Sequence, residues 1–476
     1  MEIMATDYVY IDRKVRVHAI PPEPKLREVA ERICDFNPTL VALTPEMAQE
    51  IASCCIQCPD PAACQANCPV GNNIPKAMWL IEQGDFMGAA QIYGLTSSLP
   101  SICGRVCPHD QLCQKSCVRV KEGEPVYTGT LEAFVADYAR VHGGLELVVG
   151  PATGKRVAIV GSGPSGLGCA ARLRQAGHEV TIFDKNPTPG GLLTYGIPNF
   201  KLPSSVVEAR LEDFVEAGVK FELGVEIGPE RTVDDLLAEG FDAVYIAVGT
   251  WKDATFDVPG IDLPGVFQAS EFLMQSKVPA EKLPPDAQEK VEIGNNVVVI
   301  GGGDTASDCL RSSIRLGADQ VTCLYRRTEA EMPGNAKDRK EAMQEGAHFR
   351  YLSQPIRFVA GEDGRVNAVE CLECELGAPD ESGRRRPIPI EGSNFLVEAD
   401  TVVLALGYWP DPRIGDTTDS LETHNWGLIT ADPKTGATSK ARVFAGGDAV
   451  TGPDLVVTAM RSGHRAAESI NKLLAD

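Results

Sequence analysis

The sequence predicts an α/β protein: a helical, cysteine-rich front end followed by two copies of a strand–glycine turn–helix–strand unit. Three observations predict it. Ten of the 15 cysteines lie before residue 118, with only short helical patterns around them. The stretch VAIVGSGPSGLGCAARLRQAGHEVTIFDK (157–185) is then echoed by VVVIGGGDTASDCLRSSIRLGADQVTCLYRR (297–327). Near the end, VFAGGDAVTGPDLVVTAMRSGHRAA (443–467) supplies one more strand, a Gly-Gly-Asp turn and a helix.

The totals narrow the function classes. A chain of 476 residues, 43% hydrophobic, has room for two to four domains with ordinary cores. Sixty-six acidic residues against 45 basic give a net charge of -21, which repels a phosphate backbone and predicts no nucleic-acid or anionic-membrane partner. No long apolar run escapes interruption by Gly or a charge, and no signal-like segment opens the sequence, so a cytoplasmic protein is expected. Structural disulfides are rare in that reducing compartment.

The front end carries Cys55, Cys58, Cys64 and Cys68 as C-x2-C-x5-C-x3-C-P, and Cys103, Cys107, Cys113 and Cys117 as C-x3-C-P-x4-C-x3-C. Zinc prefers two C-x2-4-C knuckles separated by a longer span, whereas iron–sulfur clusters favour compact runs with Pro after a ligand. The spacing therefore favours clusters. Leu131, Phe134, Val135 and Tyr138 recur at i, i+3, i+4 and i+7, predicting an amphipathic helix that leads out of this region. GGLELVVGPATGK (143–155) reads as a linker.

Each repeat begins with a β-branched run suited to a buried parallel strand and ends its helix at a Gly placed 16 residues after the first turn glycine. Gly161, Gly163 and Gly166 follow a strand and open a helix, the arrangement that lets backbone approach a pyrophosphate at the helix's positive end. Asp184 closes the second strand, placed to accept from ribose hydroxyls. The other copy has Gly301, Gly303 and Ala306, and Arg326 and Arg327 just past the matching strand end, which suits a 2′-phosphate. Flavin or NAD is expected at the first site and NADP(H) at the second. GGLLTYGIPNFKLP (190–203) and Asp448, in the Gly-Gly-Asp turn, favour FAD for the first. The candidate contacts are Gly161, Gly163, Pro164, Ser165, Gly166, Asp184, Lys185, Gly191, Leu192, Gly249, Gly447, Asp448 and Thr458 for FAD. Gly301, Gly303, Asp304, Thr305, Ala306, Arg326 and Arg327 are those for NADP(H). Two Rossmann-like domains follow, the FAD domain split around an inserted NADP domain.

The cysteine runs, GSGPSG, GGLLTYGIP, GGGDTA, LYRR followed by EMP, and FAGGDAVTGPDLVVTAMRSG together resemble the small (β) subunit family of NADPH-dependent glutamate synthase over residues 35–476. Its relatives include the large subunit of NADH-dependent ferredoxin:NADP oxidoreductase and the N-terminal part of dihydropyrimidine dehydrogenase. The resemblance implies two 4Fe–4S clusters with crossed ligation: Cys55, Cys58, Cys64 and Cys117 for one, Cys68, Cys107, Cys113 and Glu132 for the other. It leaves Cys103 spare and the choice between Cys54 and Cys55 open. The expected division is 1–145 for the clusters, 146–267 and 406–476 for FAD, and 268–405 for NADP(H).

The resemblance implies an NADPH-oxidising electron-input subunit that passes hydride to FAD and single electrons through the clusters to a partner redox subunit. That partner would be a glutamate synthase large subunit, a ferredoxin or a small flavoprotein. The alternatives are the large subunit of an electron-bifurcating transhydrogenase and a non-catalytic docking subunit with a vestigial nucleotide site. No segment is left for glutamine hydrolysis or an FMN barrel, so half of an enzyme is expected, and no acid–base residue is required. Several features stay outside this scheme. Cys371 and Cys374 read as structural thiols on a strand, Cys169 and Cys309 as core, Arg384, Arg385 and Arg386 as a solvated hairpin tip, His109 and His464 as weak catalytic candidates, and residues 1–33 as a loosely packed tail.

Overall fold

The computed structural model describes residues 11–475 apart from 382 and 425. Short helices build the front end, and local signals start them. Thr44 caps Pro45–Ser53 by accepting from the Met47 amide, and Asn73 caps Ile74–Glu82 by accepting from that of Lys76; each helix has Pro in its first turn. The exit helix runs Thr128–Val141 and buries Leu131 and Val135, while Phe134 and Tyr138 meet the ring of Phe86 edge-on at 5.1 Å.

The first repeat lies in a parallel sheet ordered 443–445, 243–246, 156–160, 179–184, 220–223, so the late strand Val443–Ala445 returns beside Ala243–Ile246 and completes it. The second repeat lies in a sheet ordered 266–268, 401–404, 296–300, 320–324, 348–350. Strand Val266–Gln268 thus belongs to the second sheet, pairing with Thr401–Leu404, and straddles the border expected at 267/268. Both repeat helices, Pro164–Gln175 and Asp304–Arg315, are followed by a left-handed glycine, Gly177 and Gly317. Strands Lys252–Asp253 and Tyr408–Trp409 pair where the chain passes between the two sheets. A separate antiparallel group, built on Val366–Pro379, holds Cys371 and Cys374, both buried.

The front end is docked through the C-terminal helix Val456–Ala475. His464 shares a 2.8 Å hydrogen bond with Ser98, and Arg210 and Arg172 donate to the carbonyls of Ser98 and of Leu95 and Thr96. The linker is packed as well: Gly150 donates to the Arg174 carbonyl, and a Cβ there would sit 2.3 Å from that of Gln175.

Of the tail expected over 1–33, residues 1–10 lie outside the described residues, and 11–33 are not loosely packed. Arg32 is 1% exposed and ion-pairs with Glu345 at 3.0 Å, and Glu345 also meets Arg311 and Arg315. Phe200 lies under both of those guanidinium groups, and neighbouring Lys201 pairs with Asp308 and Asp338. The N-terminal segment, a loop of the first unit and two helices of the second therefore share one buried charge cluster. Local sequence gives no hint of it, because Arg32 and Glu345 are far apart in the chain.

Candidate functional site: two nucleotide turns and two thiol groups

The first glycine turn opens a cleft whose empty space, part of it open to solvent, comes to about 1120 Å³. Gly161, Gly163, Pro164, Ser165, Asp184, Lys185, Gly191, Leu192, Gly249 and Asp448 all line it. Asp184 is buried; it accepts from the Ser162 amide at 2.8 Å and from the Asn186 amide at 2.9 Å, which fixes the turn. The Gly-Gly-Asp turn packs directly on this turn, since a Cβ on Gly447 would meet Ser165 at 2.8 Å, and Gly447 donates to Ser462. Burial, and after it the nearby Asp454, pushes the Asp448 carboxyl up to about 7. Three expected contacts do not line the cleft. Gly166 and Gly447 make close packing possible instead, and Thr458 turns back to the Leu455 carbonyl. Trp251, Asp411, Arg413 and Leu455 line it without a motif to announce them.

At the second turn, a Cβ on Gly302 would strike the Tyr325 ring at 2.5 Å. Strand register explains this: Phe183 pairs with Val160 and Leu324 with Ile300, so Tyr325 stands where the first copy has Asp184. Asp304 accepts from the Asn335 amide at 2.6 Å, Thr305 hydrogen-bonds Tyr408, and Ala306 is buried. The two arginines part company. Arg326 is exposed, whereas Arg327 is buried, pairing with Asp380 at 2.7 Å and donating to the Arg385 carbonyl at 2.6 Å. The hairpin is held against this strand end through Asp380 and the Arg385 backbone, while the side chains of Arg385 and Arg386 are exposed, as expected of a solvated tip, and Arg384 is half-buried. Partial desolvation by its surroundings, then the neighbouring charges of Arg327 and Arg384, lowers the pKa of Arg326.

The thiols fall into two groups. Cys55, Cys58, Cys64 and Cys117 are near enough to feel one another's charge. Burial first, then these neighbours, lifts Cys55 and Cys64 to about 12. Cys54 is turned away and donates to the Glu50 carbonyl. Cys68, Cys103, Cys107, Cys113 and Glu132 line a second cavity, together with His109 and Val457. Glu132 is 7% exposed and, among the described residues, hydrogen-bonds only Asn72, at 3.4 Å; burial holds its carboxyl well above the usual range. A carboxylate this deep with one long hydrogen bond is costly unless a cation or metal completes it. Among the described residues no three His, Cys, Asp or Glu converge as a lone metal ion requires; the second group of donors surrounds a cavity instead, and the first is gathered close together. Those donors fit iron–sulfur clusters.

Comparison with known proteins agrees with this geometry. Residues 32–144 match the dihydropyrimidine dehydrogenase domain II, 4Fe–4S cluster family, and residues 155–463 the pyridine nucleotide-disulphide oxidoreductase family. The glutamate synthase [NADPH] small chain of Halomonas elongata is 42% identical over 454 residues, covering 94% of this chain and 95% of that one. This chain belongs to the glutamate synthase small-chain family. The chain is also similar to the putative oxidoreductase AegA of Escherichia coli, 41% identical over 94% of this chain and 69% of that protein. Among solved structures, FprA from Mycobacterium tuberculosis in complex with NADPH superposes with a TM-score of 0.56 at 22% identity, over 67% of this chain and 85% of that one. The shared fold is that of a two-nucleotide reductase, and the cofactors of the family chain are FAD, NADP(H) and 4Fe–4S clusters.

Proposed function

We propose that the chain is an NADPH-oxidising electron-input subunit, with the two thiol groups as the route out to a partner redox subunit. FAD, when bound, supplies the conversion of a hydride into single electrons, and the clusters carry them one at a time. One observation carries the reading. Leu455, Val456 and Ala459 line the nucleotide cleft, and Val457 lines the second thiol cavity, so a single helical turn separates the two.

In this reading the first turn, Asp184 and Asp448 hold FAD, and the N-terminus of helix Val456–Ala475 faces it with partial positive charge. Gly301, Gly303, Asp304, Thr305 and Ala306 frame the NADP(H) site. Arg326 meets the 2′-phosphate, and Arg327 holds the arginine hairpin beside it. Cys68, Cys107, Cys113 and Glu132 bind the cluster next to the flavin; Cys55, Cys58, Cys64 and Cys117 bind the outer one. The partner is the large subunit of a glutamate synthase, as the small-chain name of the Halomonas relative suggests.

Anaerobic mixing with NADPH should bleach the flavin band and then produce the electron paramagnetic resonance signals of reduced clusters; a flavin that stays oxidised would defeat the reading. Arg326→Ala should weaken NADPH about tenfold and leave NADH unchanged. Glu132→Ala should lose one cluster's iron and sulfide while Cys103→Ser keeps both; the reverse pattern would make Cys103 the fourth ligand. Isolation of the native complex would test the partner, and a ferredoxin or small flavoprotein in place of a synthase subunit would reassign it.

A further inference from the structure

The segment RKVR (13–16) has no role in the scheme above, yet it lies against the outer thiol group. Arg13 donates to the carbonyls of Ile56 at 3.0 Å and Gln57 at 2.7 Å, and Arg16 to that of Cys55 at 3.1 Å. Arg119, two residues past Cys117, donates to the Cys54 carbonyl at 2.8 Å and also to that of Ala19. Four consecutive carbonyls, 54 through 57, are thus drawn outward to three guanidinium groups. Gln57 sits in the left-handed region at φ 52°, which turns its amide back to the Cys55 sulfur.

The charges differ in how they are balanced. Arg16 is neutralised by Glu82 at 2.6 Å. Arg119 is 2% exposed, its Nε is buried without a hydrogen-bond partner, and among the described residues no carboxylate lies within 4.0 Å of it. A buried cation without a counter-ion is unfavourable unless something anionic lies close by. Four thiolates on a cluster are anionic, and amides directed at their sulfurs, together with fixed positive charge, favour the reduced, more negative state.

Given the ligand assignment proposed above, on which this rests, we infer that Arg13 and Arg119 are positioning residues that make the outer cluster the more easily reduced of the two. Arg13, which holds the Ile56 and Gln57 carbonyls, does so by turning the amides of Gln57 and Cys58 inward to the Cys55 and Cys58 sulfurs, and Arg119 by supplying the cluster's counter-charge. Electrons leaving the flavin then run downhill to the edge of the molecule.

The test is a redox titration of the anaerobically prepared full-length holoenzyme, followed by electron paramagnetic resonance. Arg13→Gln, at an exposed position, should make one cluster about tenfold harder to reduce, a shift of 59 mV for one electron, with the other cluster and the flavin unmoved. Arg119→Gln should move the same cluster further in the same direction. Unchanged potentials in Arg13→Gln, or equal shifts of both clusters, would overturn the inference while leaving the ligand assignment intact. Wild-type protein lacking iron and sulfide would instead overturn the assignment itself.

Discussion

The two nucleotide turns start from the same chain logic and end in different chemistry. Both have a buried strand, a glycine turn, a twelve-residue helix and a left-handed glycine after it. They diverge at one register position, where the first has a carboxylate that ties down its own turn and the second an aromatic ring laid over Gly302. The divergence teaches that a duplicated scaffold is specialised at the end of its second strand, where the ribose side of a dinucleotide lies, rather than in the glycines.

The largest expected effect sharpens the difference in packing. A Cβ on Gly166 would lie 2.0 Å from the Gly161 carbonyl oxygen, whereas the second copy accommodates the methyl of Ala306. Gly166→Ala should cost about 3 kcal/mol and most of the bound flavin, and Ala306→Gly only about 1 kcal/mol. Chemical unfolding and flavin content measure both, and similar losses would erase the distinction.

Next comes the carboxylate itself. Asp184→Ala strands the buried Ser162 amide, so about 2 kcal/mol and part of the flavin should go, with NADPH binding spared. Flavin fluorescence released on dilution would read the loss.

A third contrast concerns the helix that only the first unit owns. Burial holds His464 neutral, pushing its pKa down to about 3 from an ordinary 6.5. The unfolded chain takes up that proton near 6.5, so the stabilisation is complete above this pH and is lost as the pH falls toward 3. Its slope is about 1.4 kcal/mol per pH unit. Melting temperatures at pH 7.5 and 5.0 should diverge less in His464→Gln than in wild type; identical divergence would remove His464 from the account.

The smallest effect lies in the second turn. Tyr325 donates to the Glu331 carbonyl at 2.8 Å, and Tyr325→Phe should cost about 1 kcal/mol with flavin content unchanged. A fall in flavin content would mean that the two turns are coupled.

What was legible in the sequence follows from what is local. Glycines 161, 163, 301 and 303, the stops at 177 and 317, the exit helix and the late strand that completes the first sheet are carried by short-range pattern. Glu132 was legible only through family resemblance, because nothing in GTLEAF separates a buried helical carboxylate from a solvated one. The partners of Arg13, Arg32 and Arg327 were illegible, since each meets its partner across a long stretch of chain, and a charged residue read alone defaults to solvent. Trp251 and Arg413 were missed for a similar reason: they enter the cleft from connections between sheets, where no periodicity marks them.

The ion cluster around Glu345 fastens the second unit to the rest of the molecule. With the N-terminal segment and Phe200 packed onto its helices, a pivot of that unit on the paired strands at 252–253 and 408–409 would strip several buried charges of their partners. Any hinge motion between the two units therefore carries the cost of unpairing those charges.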